Sequence, residues 1–137
     1  MTAPIAAVLV SAATGLPAQQ LITRDARALC VPVASTPQQQ AQGLMGVHKP
    51  RPMVFSFNPP QQVSFWMKDT PARLTGVWVA PGGRVIGYWH GKPYSTTLHN
   101  SPQPVSLVIE YPRGYRLPKR GTHVRLGRSC KLPSRRL

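Results

Sequence analysis

Apolar residues along the chain fall into short runs separated by proline- and glycine-bearing breaks, a spacing that predicts strands more than helices. Leu29 to Ala34 (LCVPVA) reads as a short strand, and Pro32 within it argues for an edge position. Met53 to Phe57 is a second strand, closed by Asn58-Pro59-Pro60, and Val63 to Met67 is a third. Leu74 to Ala80 and Arg84 to His90 flank Pro81-Gly82-Gly83, whose two glycines allow positive φ, so the pair predicts a hairpin with Trp78 and Trp89 in its arms. A polar loop from Gly91 to Pro104 follows, and Val105 to Ile109 and Thr122 to Leu126 complete the set.

The single helix signal is brief. Thr36 supplies an N-cap hydroxyl, Pro37 the first helical position and Gln39 the third, while Gly43 offers a left-handed stop, so the helix spans only Pro37 to Gln42. Seven short strands and one two-turn helix predict a mainly β, β-rich α+β fold: a compact antiparallel or mixed sheet, folded or barrel-like. The organisation expected is an N-terminal segment over residues 1–28, a β-rich domain over 29–126 and a basic tail over 127–137.

The chain has 137 residues, the natural size of one domain, and none of its apolar runs reaches membrane-spanning length. Residues Met1 to Gln20 have an apolar middle and a small-residue end near Ala18. They loosely resemble an export signal but lack an early cation, the first being Arg24. Cys30 and Cys130 stand 100 positions apart with no CxxC or Cys/His spacing; two free thiols are the simpler reading and a disulfide the alternative. His48, His90, His99 and His123 are scattered, so neither they nor the cysteines form a metal motif, and no cofactor is expected.

Four blocks in order carry a family pattern: Thr36-Pro-Gln-Gln-Gln-Ala-Gln-Gly-Leu-Met-Gly46, Met53-Val-Phe-Ser-Phe57, Val63-Ser-Phe-Trp-Met-Lys-Asp-Thr70 and Val108-Ile-Glu110. Over about Leu29 to Leu126 the sequence resembles the domain of unknown function 192 family. That resemblance implies a small β-rich domain, commonly found behind a bacterial export signal and without an established activity. The motif positions it marks are Gly43, Leu44, Met45, Phe65, Trp66, Met67, Lys68, Asp69, Thr70 and Glu110. The chain departs from the family where Val47 and His48 replace an arginine and where Arg73-Leu74-Thr75 replaces Pro-Leu-Asp.

Among these positions, Lys68 with Glu110 or Asp69 is expected to form a partly buried pair that fixes strand register, since an unpaired buried charge is costly. Asp69 and Glu110 as an acid/base pair of a small hydrolase-like enzyme is the low-ranked enzymatic alternative. No nucleophile elbow, phosphate loop or dinucleotide fingerprint accompanies them. Phe65, Trp66, Met67 and Met45 read as core packing before they read as a ligand platform.

Charge gives the clearest functional signal. Seventeen Lys and Arg stand against three Asp and Glu, a net charge of +14. The 27 residues after Glu110 carry nine of those cations and no acid: Arg113, Arg116, Lys119, Arg120, Arg125, Arg128, Lys131, Arg135 and Arg136. With so few internal anions the field must meet an external one, and the predominance of Arg suits bidentate phosphate contacts. The expectation is a non-enzymatic structural or binding component of a larger assembly, a virion or other nucleoprotein particle. Its β domain would dock on protein subunits and its basic arm on nucleic acid or another polyanion, with homo-oligomerisation left open. The setting favoured is a virion or cytoplasmic particle. The alternative is an exported, periplasmic or envelope protein whose cations meet anionic lipid or cell-wall polymer.

Overall fold

The computed structural model describes residues 5–6, 16–24, 27–41 and 48–133. Its strands are β1 (Ile5–Ala6), β2 (Ala18–Thr23), β3 (Leu29–Ala34), β4 (Met53–Gln61), β5 (Ser64–Trp66), β6 (Leu74–Val79), β7 (Val85–Gly91), β8 (His99–Asn100), β9 (Val105–Pro112) and β10 (Val124–Ser129). The one helix, α1 (Pro37–Ala41), begins as its capping residues dictate: Thr36 Oγ1 accepts from Gln39 N at 3.1 Å, and Gln39 Oε1 accepts from Ser35 N at 2.9 Å. The fold is mainly β, as expected.

Seven strands form a mixed sheet in the order β10-β2-β3-β4-β9-β6-β7, and β1-β5-β8 form a small second sheet. The large sheet is open, yet it curls until its edges touch: Arg84, just before β7, bridges His123, just before β10. Val124 N donates to Gly83 O at 2.8 Å, an approach that a side chain at Gly83 would block, since its Cβ would lie 2.5 Å from Val124 O. Gly83 also has φ 99°, so glycine is required there twice over.

Side-chain alternation gives each face of the large sheet its own core. The concave face is aliphatic, built on Val31, Val33, Val54, Val77, Leu107 and Ile109. The convex face is aromatic and sulfur-rich: Phe55, Met53, Trp78 and Trp89 pack under Phe65 and Met67 from the covering layer. Phe65 sits edge-on to Phe55 at 5.0 Å and stacks on Trp89 at 5.5 Å.

Several expectations are corrected. Pro32 does not mark an edge, because β3 lies between β2 and β4; its parallel ladder with β4 runs only over Val33 and Ala34, beyond the residue that lacks an N–H. Strand β4 runs through Asn58-Pro59-Pro60, with a cis Asn58–Pro59 bond and a register shift before Gln61. Strand β2 lies inside what the sequence marks as an N-terminal segment, and β10 and Cys130 continue the domain past residue 126. The cysteines are not free thiols: Cys30 and Cys130 form a disulfide, and Cys130 N donates to Ala18 O at 3.0 Å. Curling of the sheet brings together two positions that sequence spacing leaves unrelated.

Candidate anionic-polymer interface

The nine predicted polyanion-binding residues separate into three places. Arg113, Arg116, Lys119 and Arg120 lie on the loop between β9 and β10, Arg125 and Arg128 on edge strand β10, and Lys131 just after it; all seven are exposed. Arg135 and Arg136 lie outside the described residues. The loop is fastened down rather than free. Tyr88 donates its hydroxyl to Pro118 O at 2.7 Å, Arg120 donates to Ile86 O at 2.7 Å, and Thr122 Oγ1 donates to Lys119 O at 2.6 Å.

Strand pairing adds cations that no run in the sequence announces. Because β2 is antiparallel to β10, with Thr23 opposite Val124, the turn after β2 swings Arg24 and Arg27 up against the loop. Arg24, Arg27, Arg116 and Lys119 thereby line one cavity of about 40 Å³ at the mouth of the curled sheet. Its apolar wall is Leu21, Leu29, Leu117 and Tyr111. Thr23 lines it as well, and its Oγ1 is buried with no hydrogen-bond partner among the described residues. Arg24 also borders a shallower groove with His123 and Arg125, so the basic surface is continuous from cavity to edge strand. Asp25, the one acid in this stretch of sequence, lies outside the described residues. Burial raises the Tyr111 phenol far above its ordinary value, so it stays a neutral hydroxyl among the cations.

The family-motif positions lie elsewhere, on the convex face. Phe65 and Met67 are fully buried core, Thr70 is buried with its hydroxyl on Lys68 O at 3.1 Å, and Trp66 is half-buried. Gly43, Leu44 and Met45 lie outside the described residues. The expected pairing of Lys68 with Glu110 does not form. Lys68 is exposed with its ammonium 5.5 Å over the Trp66 ring, and Asp69 is exposed in a turn at φ 56°.

Glu110 instead lies in the middle of the sheet with no exposure, and neither carboxyl oxygen has a hydrogen-bond partner among the described residues. It stands in one cross-strand row: Trp89 is opposite Gly76, Gly76 is opposite Glu110, and Glu110 is opposite Met53. The indole of Trp89 leans across the row into the space Gly76 leaves; a Cβ at Gly76 would sit 1.8 Å from Trp89 Nε1. That Nε1 is also buried and has no partner among the described residues. Desolvation pushes the Glu110 carboxyl well above the usual range, which keeps it protonated. Beyond Trp89, His99 stacks on the indole at 4.9 Å; burial, then the charge of His90, holds its imidazole below its ordinary value. A buried, protonated Glu110 and an exposed Asp69 are not arranged as a matched acid and base.

Comparison with known proteins agrees with this architecture. The chain matches the model of the DUF192 family, described as an uncharacterized ACR, over residues 20–124. A protein of unknown function from Novosphingobium aromaticivorans is similar in structure, with a TM-score of 0.74 at 26% identity over 90% of this chain and 93% of that one. A Sinorhizobium meliloti protein described as "a putative transcription regulator" aligns with a TM-score of 0.66 at 27% identity, covering 80% of this chain and 92% of that one. No curated protein matches the chain.

Proposed function

We propose, for a chain that belongs to the uncharacterized DUF192 family, a non-enzymatic role: binding an anionic, phosphate-bearing polymer along the surface that runs from the cavity mouth to edge strand β10. The observation that carries this reading is the convergence of Arg24 and Arg27 with Arg116 and Lys119 on one cavity, continuous through Arg24 with Arg125. Cations from distant parts of the sequence raise the local potential together, and no described carboxylate lines the cavity to neutralise them. Their exposure suits a ligand that arrives from solvent and releases counterions as it binds. The core domain would hold the basic surface in place and dock on protein subunits of an assembly.

The disulfide bears on the setting. Bridges of this kind persist outside reducing compartments, which supports an exported envelope protein, or a virion component, over a cytoplasmic particle. The polymer would then be a cell-envelope phosphodiester polymer or an anionic lipid surface, with packaged nucleic acid as the virion counterpart. The description of the Sinorhizobium neighbour is in keeping with nucleic acid.

Salt dependence tests the reading. Binding to nucleic acid and to a phosphodiester wall polymer is measured between 50 and 200 mM salt. Engagement of six or more phosphates is expected to weaken affinity about 10³-fold or more across that range. Binding that ignores salt, or none, overturns the proposal. Sequencing the mature N-terminus separates the settings: cleavage near Ala18 marks export, and a retained Met1 favours the particle.

A further inference from the structure

We infer that the cavity at the mouth of the curled sheet is an end-on site for one phosphomonoester group, so that the protein grips the terminal phosphate of its polymer in addition to lying along the backbone. This deepens the anionic-polymer reading and rests on it. Three features of the cavity carry the inference.

The first is its size. About 40 Å³, room for roughly three water molecules, matches a tetrahedral oxyanion more closely than a sugar ring or a base. A terminal or protruding phosphoryl group is therefore the part of a polymer that fits it best. The second is charge. Arg24, Arg27, Arg116 and Lys119 come from two segments distant in sequence that line the same opening, so a dianionic monoester meets cations from both. The apolar wall of Leu21, Leu29 and Leu117 lowers the local dielectric and strengthens each of those contacts.

The third feature is an unmet donor. Thr23 belongs to the cavity lining and its Oγ1 is buried without a partner among the described residues, while the hydroxyls of nearby Thr122 and Tyr88 are both engaged with backbone carbonyls. A buried hydroxyl without a partner carries a desolvation penalty that an entering phosphoryl oxygen removes. Those Thr122 and Tyr88 contacts also hold the loop bearing Arg116 and Lys119, so little ordering has to accompany binding.

The test is calorimetric titration of the intact, oxidised protein with inorganic phosphate, with a 5′-phosphorylated oligonucleotide and with the same oligonucleotide dephosphorylated. Phosphate is expected to bind one to one, and the phosphorylated oligonucleotide at least tenfold more tightly than the dephosphorylated one. Thr23→Val, which keeps the shape and removes the hydroxyl, is expected to weaken phosphate binding about tenfold, in the range for a hydrogen bond to a charged group. Arg116→Ala, an exposed loop substitution that leaves the core intact, should do the same. Arg128→Ala, on the edge strand away from the cavity, should leave phosphate affinity unchanged and lower polymer affinity. Absence of saturable phosphate binding, or equal affinity for the two oligonucleotides, overturns the end-on site. If salt-sensitive polymer binding persists in that case, the broader reading survives; if the polymer fails to bind as well, both fall.

Discussion

The two faces of the large sheet hold opposite kinds of unpaired charge. On the convex side the carboxyl of Glu110 is buried in the row that holds Met53, Gly76 and Trp89, with no hydrogen-bond partner among the described residues; at the concave mouth four cations line one opening with no described carboxylate among its lining residues. The buried acid resolves its situation internally by keeping its proton. The surface cations cannot do so, because Arg stays protonated at any physiological pH; under the proposed function they meet an external anion. Two sites of the same nominal kind, an ion without a counterion, therefore mean different things: burial makes one a matter of folding, and exposure makes the other a matter of binding.

Removing the disulfide should break this contrast most severely. The bridge joins Cys130, at the end of edge strand β10, to Cys30 in β3, closing 100 residues of chain. Cys30→Ala together with Cys130→Ala is expected to lower stability by about 2–5 kcal/mol in urea denaturation. Amide exchange should accelerate in β2 and β10 and around the cationic mouth before it does so in β6 and β7. Equal acceleration on both faces would mean that they open as one unit.

Gly76→Ala tests the aromatic face alone. The added methyl collides with Trp89 Nε1, so the indole must leave its place over the row. The expected loss is about 3 kcal/mol by thermal or denaturant melting, with a changed Trp fluorescence and unchanged salt-dependent polymer binding. A melting curve like that of the parent protein would show that Trp89 has another place to go, and coupled loss of polymer binding would erase the separation of the two faces.

The smallest effect expected is that of Glu110→Gln, and it depends on pH. A carboxyl whose folded-state value is raised above its ordinary 4.5 stabilises fully below that value and loses its contribution as pH rises toward the folded-state value. Parent and variant should therefore melt alike near pH 4, and the variant should gain on the order of 1–2 kcal/mol by pH 8. His99 acts in the opposite sense: its lowered value gives stability above 6.5 that is lost as pH falls. Because His99 is only partly buried, the Glu110 trend should dominate between those two values. A difference between variant and parent that does not vary with pH would sink the buried-acid account.

The local rules of the sequence reach a long way. The capping residues of α1, the Gly82-Gly83 turn and most of the strands form where short-range chemistry places them. What escapes is set by the curl of the sheet. Strand β2 reads Ala-Gln-Gln-Leu-Ile-Thr, with Leu21 its one fully buried residue, so its apolar signal is weak and its place is fixed by two neighbours distant in sequence. The long-range pairing of β2 with β3 and β10 brings Cys30 to Cys130, and Arg24 and Arg27 to Arg116 and Lys119. The charge of the segment after Glu110 is legible without a structure; the cavity that its Arg116 and Lys119 help to line is not. Glu110 could have been placed from sequence by its company, since Val105 to Tyr111 is apolar except at Ser106 and Glu110, the pattern of a strand covered on both faces.

Strand β10 is outermost in the large sheet; beyond Val124, whose N–H reaches Gly83 O, β2 is its one strand neighbour among the described residues, so its outer row of backbone groups from Arg125 on has no strand partner there. Arg125 and Arg128 stand on that margin. Alignment of two such margins would bring their backbones to about 4.8 Å and crowd the guanidinium groups of separate molecules, a repulsion that opposes edge-to-edge pairing. Under the proposed function, a polymer that neutralised those groups would lift that repulsion and open the same margin to a neighbouring strand.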